Sequence, residues 1–363
     1  MIPLFKVHVP PNIGQKIQQV FDEGVITEGI YADTFEKEFG ELVGNKNVSL
    51  LNSGTSALTL AYKLANLDRD TEIITTPMTC MATNEPAHLA GARLVFADID
   101  PATGNIDPES VKKRLTKKTR AVVGVHWAGQ PFDIKTITDI VKDFDPTISV
   151  IEDAAHALGA SYMGKPIGTH SDFVCFSFQA IKHLTTVDGG AICSLRPEDD
   201  ARIKRLRWFG LDRKYPGSRW EQDITEAGYK FHMNNINAVI GLEQMKYVND
   251  IVAAHKKNGM FFDKHIKNNK LTKLRRDPNA ESAYWIYTIL ADNRDDFKTY
   301  LHENGIASDV VHVRNDRYTV FDQYRQDDLV GTEEFCSKMI NIPVGYWLTN
   351  DDLAKIVSVV NAY

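Results

Sequence analysis

One lysine stands inside an apolar and hydroxyl-bearing run, Cys175-Phe176-Ser177-Phe178-Gln179-Ala180-Ile181-Lys182-His183-Leu184-Thr185-Thr186. An amine held in such surroundings loses hydration, deprotonates more easily and becomes a nucleophile. The same run also suits a surface lysine whose stem lies along apolar neighbours, so its context decides. Upstream, residues 148–153 read Ile-Ser-Val-Ile-Glu-Asp, an apolar strand ending on two acids, and Ala154-Ala155-His156 follows. An acid at the C-terminal end of a buried strand sits where α/β folds place ligand groups. An Asp there can equally cap a turn. Further upstream, Asn52-Ser53-Gly54-Thr55-Ser56-Ala57 lies between the apolar end of a strand and the helical pattern Leu58, Tyr62, Leu64. A Gly/Ser/Thr turn that opens a helix offers N–H groups and hydroxyls to a phosphate, although ordinary capped helices also begin this way. Phosphate cradle, acid and lysine in this order suit a lysine that forms a Schiff base with a carbonyl or with pyridoxal phosphate.

The elements that must carry these residues alternate. Ile13, Ile17, Val20 and Phe21 mark an amphipathic helix after Pro10-Pro11. Strand-like runs fall at Glu72–Thr75, Arg93–Ala97, Ala121–Val125 and Ile148–Ile151, with helical patterns between them. This alternation predicts an α/β fold with a largely parallel sheet covered on both faces. Asp188-Gly189-Gly190 and the apolar run Ala191-Ile192-Cys193 follow the lysine segment. From about Val248 the chain turns Lys- and Asn-rich around a helix expected over Ile251–Asn268, and Tyr284–Leu290 reads as a strand. A large domain over 1–247 and a smaller α+β domain over 248–363 are expected.

With 363 residues the chain exceeds the usual single-core range. Its net charge of −6 offers no bulk polyanion-binding surface, which argues against nucleic acid or an anionic membrane as partner. No run of 18 apolar residues would span a membrane. The opening Met1-Ile2-Pro3-Leu4-Phe5-Lys6 lacks a signal-peptide core. Cys80, Cys175, Cys193 and Cys336 show no metal-like spacing. These readings predict a cytoplasmic protein with reduced thiols and no metal.

The blocks Ser53-Gly54-Thr55-Ser56-Ala57, Glu152-Asp153-Ala154-Ala155-His156, Phe176-Ser177-Phe178-Gln179-Ala180-Ile181-Lys182, Asp188-Gly189-Gly190 and Gly228-Tyr229-Lys230 resemble those of the DegT/DnrJ/EryC1/StrS sugar aminotransferases. The resemblance runs from Pro3-Leu4-Phe5 to Pro343. It implies the aspartate-aminotransferase-like (type I) fold and pyridoxal 5′-phosphate as cofactor. It further implies that Lys182 carries the cofactor and moves the proton, and that Asp153 keeps the ring nitrogen protonated. Gly54, Thr55, Ser56 and Ser177 are the implied phosphate contacts, and His156 falls near the ring hydroxyl. Two segments depart from the family pattern. In Thr76-Pro77-Met78-Thr79-Cys80-Met81, Cys80 or Met81 stands where many relatives have an aromatic residue on the ring. In Gly228-Tyr229-Lys230-Phe231-His232, Lys230 and His232 replace an Asn that reaches the partner's cofactor phosphate, which implies a homodimer with shared sites.

The implied substrates are L-glutamate and a nucleotide-linked keto sugar, with Glu28, Tyr31, His312 and Arg314 (or Arg317) at its contacts. His126-Trp127-Ala128-Gly129-Gln130-Pro131 also borders the implied pocket. The chain looks most like the viosamine and perosamine synthase branch, which favours a 4-keto-6-deoxyhexose and a 4-amino-4,6-dideoxyhexose product, as in O-antigen sugars. A 3-keto substrate, and the family's 3-dehydratases with histidine in place of the lysine, stay open because His183 adjoins Lys182. A regulatory member is a more distant alternative. A dinucleotide-dependent oxidoreductase is disfavoured, since no G-x-G-x-x-G follows a candidate strand.

Overall fold

A computed structural model describes residues 1–363, the side chain of Arg219 apart. Seven strands form the main sheet: β1 Val48–Leu51, β2 Glu72–Thr75, β3 Arg93–Phe96, β4 Thr119–Val125, β5 Ser149–Asp153, β6 Phe173–Ser177 and β7 Gly190–Ser194. Their order is β1-β7-β6-β5-β4-β2-β3. Every neighbouring pair is parallel except the two made by β7, which runs against both β1 and β6.

Both faces of this sheet are buried, which explains the nearly unbroken apolar strands. Side chains alternate between the faces. Val122, Val150, Val174 and Phe176 join one core with Phe35, Phe39 and Phe178. Ala121, Val123, Ile151, Phe173 and Cys175 join the other with Leu58 and Tyr62 of the helix Gly54–Leu64. The alternation continues to the strand ends. It puts Val125, Asp153, Cys175 and Ser177 on this second face, at the C-terminal edge of the parallel strands.

The smaller lobe holds an antiparallel sheet of β8 Leu271–Lys273, β9 Tyr287–Ala291 and β10 Met339–Ile342, in the order β8-β9-β10. Phe262, Ile289, Phe297 and Ile356 fill its core. Ile2 belongs to this core too: its N–H donates to the Gly305 carbonyl, and its own carbonyl accepts from Ala307. Val248 and Val252 side with the main sheet's core, so the helix Val248–His265 serves both lobes. The strand expected from Tyr284 begins at Tyr287, because Tyr284 takes a φ of +48° that no strand residue adopts.

Candidate active site

Four loops leave the C-terminal edge of the main sheet and enclose a cavity of about 360 Å³. The first follows β1. Ser53 caps the helix Gly54–Leu64, its Oγ accepting from the Ser56 N–H at 3.0 Å. The first-turn N–H groups of Gly54 and Thr55 have no partner within a helix, and Ser53, Gly54 and Thr55 line the cavity. Ser177, at the end of β6, lines it beside them. Gly54 permits this closeness, since a Cβ there would lie 2.8 Å from the Ser177 Cβ. Gly190 does the same for the returning strand, where a Cβ would lie 2.5 Å from the Ser53 carbonyl carbon. Helix N-terminus and hydroxyls together form an anion cradle. Ser56 is not one of its hydroxyls: its Oγ donates to Asn52 Oδ1 at 2.6 Å, and Ser53 faces the cavity instead.

Asp153 ends β5 in the cavity floor and is 4% exposed. Its Oδ2 accepts from the Thr83 hydroxyl at 2.6 Å and its Oδ1 from the Ala155 N–H at 3.1 Å. Thr79 Oγ1 lies 2.7 Å from Thr83 Oγ1, so the two threonines form a hydroxyl chain ending on the carboxylate. Tyr62, 1% exposed beneath them, donates to the Thr83 carbonyl. A carboxylate oriented in this way can hold a nearby heterocyclic nitrogen protonated.

Lys182 enters from the loop between β6 and β7. Burial brings its amine down to about 8, against the opposing pull of Asp153. Its Nζ lies 3.9 Å from the centre of the Trp285 ring. His156 stacks on that indole at 3.7 Å and 11°, and His312 lies parallel to His156 at 5.4 Å. Burial, and then the charge of Lys182, push both histidines down, His312 to about 3, so both rings are neutral at physiological pH. Their buried His156 Nδ1 and His312 Nε2 have no partner among the described residues. Buried polar atoms without partners in a lined cavity, beside an anion cradle and a depressed lysine, fit a phosphorylated aromatic aldehyde. His183 does not share this cavity; its ring packs on His255 at 4.6 Å, behind the lysine. The residue that sequence reading missed is Trp285. Its place in an apolar, strand-like run carries no signal of a ligand.

Cys80 is exposed and lines the cavity, whereas Met81 packs on the core under the helix Gly54–Leu64. The remaining expected contacts lie outside the cavity in this chain. The Arg314 guanidinium forms a two-pronged pair with Asp316 and reaches Glu333 at 2.6 Å, so an anionic ligand would have to displace carboxylates. Arg317 also pairs with Glu333. Glu28 accepts from Arg207 and Arg213, each at 2.7 Å, and the Tyr31 hydroxyl donates to Glu23. Lys230 Nζ lies 3.3 Å from the centre of the Trp208 ring, and His232 meets the same ring edge-on. Burial, and then the charge of Lys230, bring His232 down to about 4 in this chain. Trp127 is buried with its N–H donated to Thr288, and His126 is paired with Glu152 at 2.9 Å under the sheet.

A two-lobed α/β fold with an anion cradle, a strand-end acid and a half-buried amine at one sheet edge defines a type I pyridoxal-phosphate enzyme. The chain belongs to the DegT/DnrJ/EryC1/StrS aminotransferase family, which it matches over residues 10–361 and whose cofactor is pyridoxal phosphate. It is 34% identical to the sugar aminotransferase CalS13 from Micromonospora echinospora, with a TM-score of 0.96 and 100% of each chain covered. A UDP-4-amino-4,6-dideoxy-N-acetyl-beta-L-altrosamine transaminase of Campylobacter jejuni is 32% identical over 76% of this chain and 72% of its own length. GDP-perosamine synthase of Caulobacter vibrioides is 30% identical over 92% of this chain and 90% of its own. No described helix is long and apolar enough to cross a membrane.

Proposed function

We propose that this aminotransferase moves an amino group from L-glutamate to C4 of a nucleotide-linked 4-keto-6-deoxyhexose, giving a nucleotide-linked 4-amino-4,6-dideoxyhexose. The observation that carries the reading is the half-buried Lys182 amine, brought down to about 8, in one cavity with Asp153 and the Ser53–Thr55 cradle. Two relatives named for 4-amino-4,6-dideoxy and perosamine products support the choice of position.

Pyridoxal phosphate, when bound, supplies an electron sink for the bond that is broken. The chain's own residues do the rest. Ser53, Gly54, Thr55 and Ser177 hold the phosphate. Asp153, oriented by Thr83, keeps the ring nitrogen protonated. Lys182, freed as a neutral amine, takes and returns the proton at the reacting carbon. Neutral His156 and His312 add polar atoms without adding charge beside the lysine. Lys230, near the chain's outer edge, is assigned to the neighbouring subunit's cofactor phosphate, and the working unit is a homodimer. Arg314 holds its loop through Asp316 and leaves the diphosphate to other groups.

A panel of dTDP-, UDP- and GDP-linked 3-keto and 4-keto hexoses, incubated with glutamate and read by NMR, tests the reading. A 4-amino product is expected. A 3-amino product, or loss of the C3 oxygen without amination, would reject it.

A further inference from the structure

Lys182 meets an indole where a hydrogen-bond acceptor would be the more usual neighbour. Trp285 is 2% exposed, and its Nε1–H donates to the Ile181 carbonyl at 2.8 Å. That carbonyl belongs to the peptide joining Ile181 to Lys182. The Lys182 N–H in turn donates to the Gln179 carbonyl at 2.9 Å, closing the turn that aims the side chain. The same indole presents its face to Nζ at 3.9 Å and its other neighbour, His156, lies nearly parallel to it at 3.7 Å.

Trp285 is itself held firmly. Tyr284, the residue before it, is kept at a φ of +48°, a conformation a tyrosine adopts only when its surroundings require it. The Tyr284 hydroxyl donates to Asp263 Oδ2 at 2.6 Å. Asp263 also accepts from the Tyr287 hydroxyl and from Arg276. Gly259 leaves room for the tyrosine ring, which a Cβ there would meet at 2.0 Å. A polar cluster around Asp263 of the helix Val248–His265 thus fixes a strained residue, and that residue sets the indole under the lysine.

We infer that Trp285 is the positioning residue of Lys182: its N–H fixes the turn that carries the lysine, and its π face holds the ammonium form of the amine. A desolvated ammonium over an indole is stabilised by the ring quadrupole without being locked in a hydrogen bond. A group that must both take and release a proton gains from that. The inference rests on Lys182 being the reacting amine, as proposed above. Burial disfavours the ammonium, and the indole face, like Asp153, partly restores it.

The test uses the full chain saturated with pyridoxamine 5′-phosphate, which leaves Lys182 a free amine. Acetic anhydride labelling of the Lys182 peptide is followed by mass spectrometry from about pH 6 to 11, a range that brackets ordinary and depressed lysines. In the wild type the midpoint is expected below the ordinary lysine value, because burial disfavours the ammonium. Trp285→Met keeps an apolar wall without a π face, and its ammonium-to-amine ratio at a given pH should fall about tenfold. A midpoint that stays put or rises in this variant overturns the π-face role. Trp285→Phe keeps a ring and loses the donor. Its midpoint should stay near the wild-type value, while the amides of residues 179–184 exchange about tenfold faster with deuterium. A Phe variant with wild-type exchange overturns the positioning role, whether or not Trp285→Met folds. A wild-type midpoint at the ordinary lysine value has a separate signature and rejects both this inference and the assignment of Lys182.

Discussion

Two forces meet at Lys182. Burial favours the neutral amine and the Asp153 carboxylate favours the ammonium; burial wins, leaving the amine about 8 rather than at its ordinary value. The sign of the pH dependence follows. A step that needs the neutral amine should speed up as pH rises through about 8 and level off above it. His156 and His312 titrate below the physiological range and add no limb near neutrality. Single-turnover rates measured against pH check this, and a profile that falls between pH 7 and 9 contradicts it. Lys182→Ala should lower turnover by at least about 10²–10⁴-fold and remove the visible absorbance of the resting holoenzyme. Asp153→Asn should keep the fold and lose activity by orders of magnitude, because an amide cannot hold the ring nitrogen protonated. Circular dichroism and turnover, measured together, separate the two effects. Thr83→Val removes a 2.6 Å hydrogen bond to the carboxylate and should weaken cofactor binding about tenfold, with Thr83→Ser restoring it. Equal affinities in the two variants would refute a role for that hydroxyl.

At the scale of elements, the site is a property of strand ends. Val125, Asp153, Cys175 and Ser177 face one way because side chains alternate with period two along β4, β5 and β6. The strand and acid at 148–153, the helix start at Ser53-Gly54 and the lysine loop were all legible, since each is written in a continuous stretch. Met81 shows the limit. It adjoins Cys80 in sequence, but Cys80 precedes the helix Met81–Leu89 while Met81 lies on its core-facing side. The packing of the helix start against β6 gives a direct test. Gly54→Ala would set two Cβ atoms 2.8 Å apart, both carried by backbone that cannot swing aside. It should cost about 1–3 kcal/mol of stability and weaken phosphate binding. Thermal denaturation with and without cofactor reads both, and an unchanged melting temperature would show that the two elements part freely.

For the molecule as a whole, the two lobes are tied at several sequence-distant points. Met78 bridges to Arg314, and the Asn315 amide donates to the Thr79 carbonyl while its oxygen accepts from Asn84. The site therefore draws on both lobes: Trp285 and His312 come from the segments that join β8 to β9 and β9 to β10 of the smaller sheet. Lys230 stands outside this chain's own cavity, which accords with a role toward a second copy. Sedimentation at assay concentration should find a dimer, and Lys230→Ala should lower cofactor affinity several-fold. An active monomer would refute the shared-site proposal.

The sequence by itself determined the alternating α/β order, the lysine, acid and cradle blocks, and the family to which they belong. Such features are local: hydrophobic period and turn chemistry act over a few residues and survive without knowledge of the rest of the chain. The tertiary structure alone decided which side chains meet. It turned Ser56 away and brought Ser53 in, tied Arg314 to Asp316, set His183 against His255 and placed Trp285 beneath Lys182. Trp285 also donates to the Ile181 carbonyl, 104 positions away in sequence. Long-range contacts of that kind depend on how two lobes pack, and an apolar residue in a strand-like run looks the same whether it fills a core or walls a reacting amine.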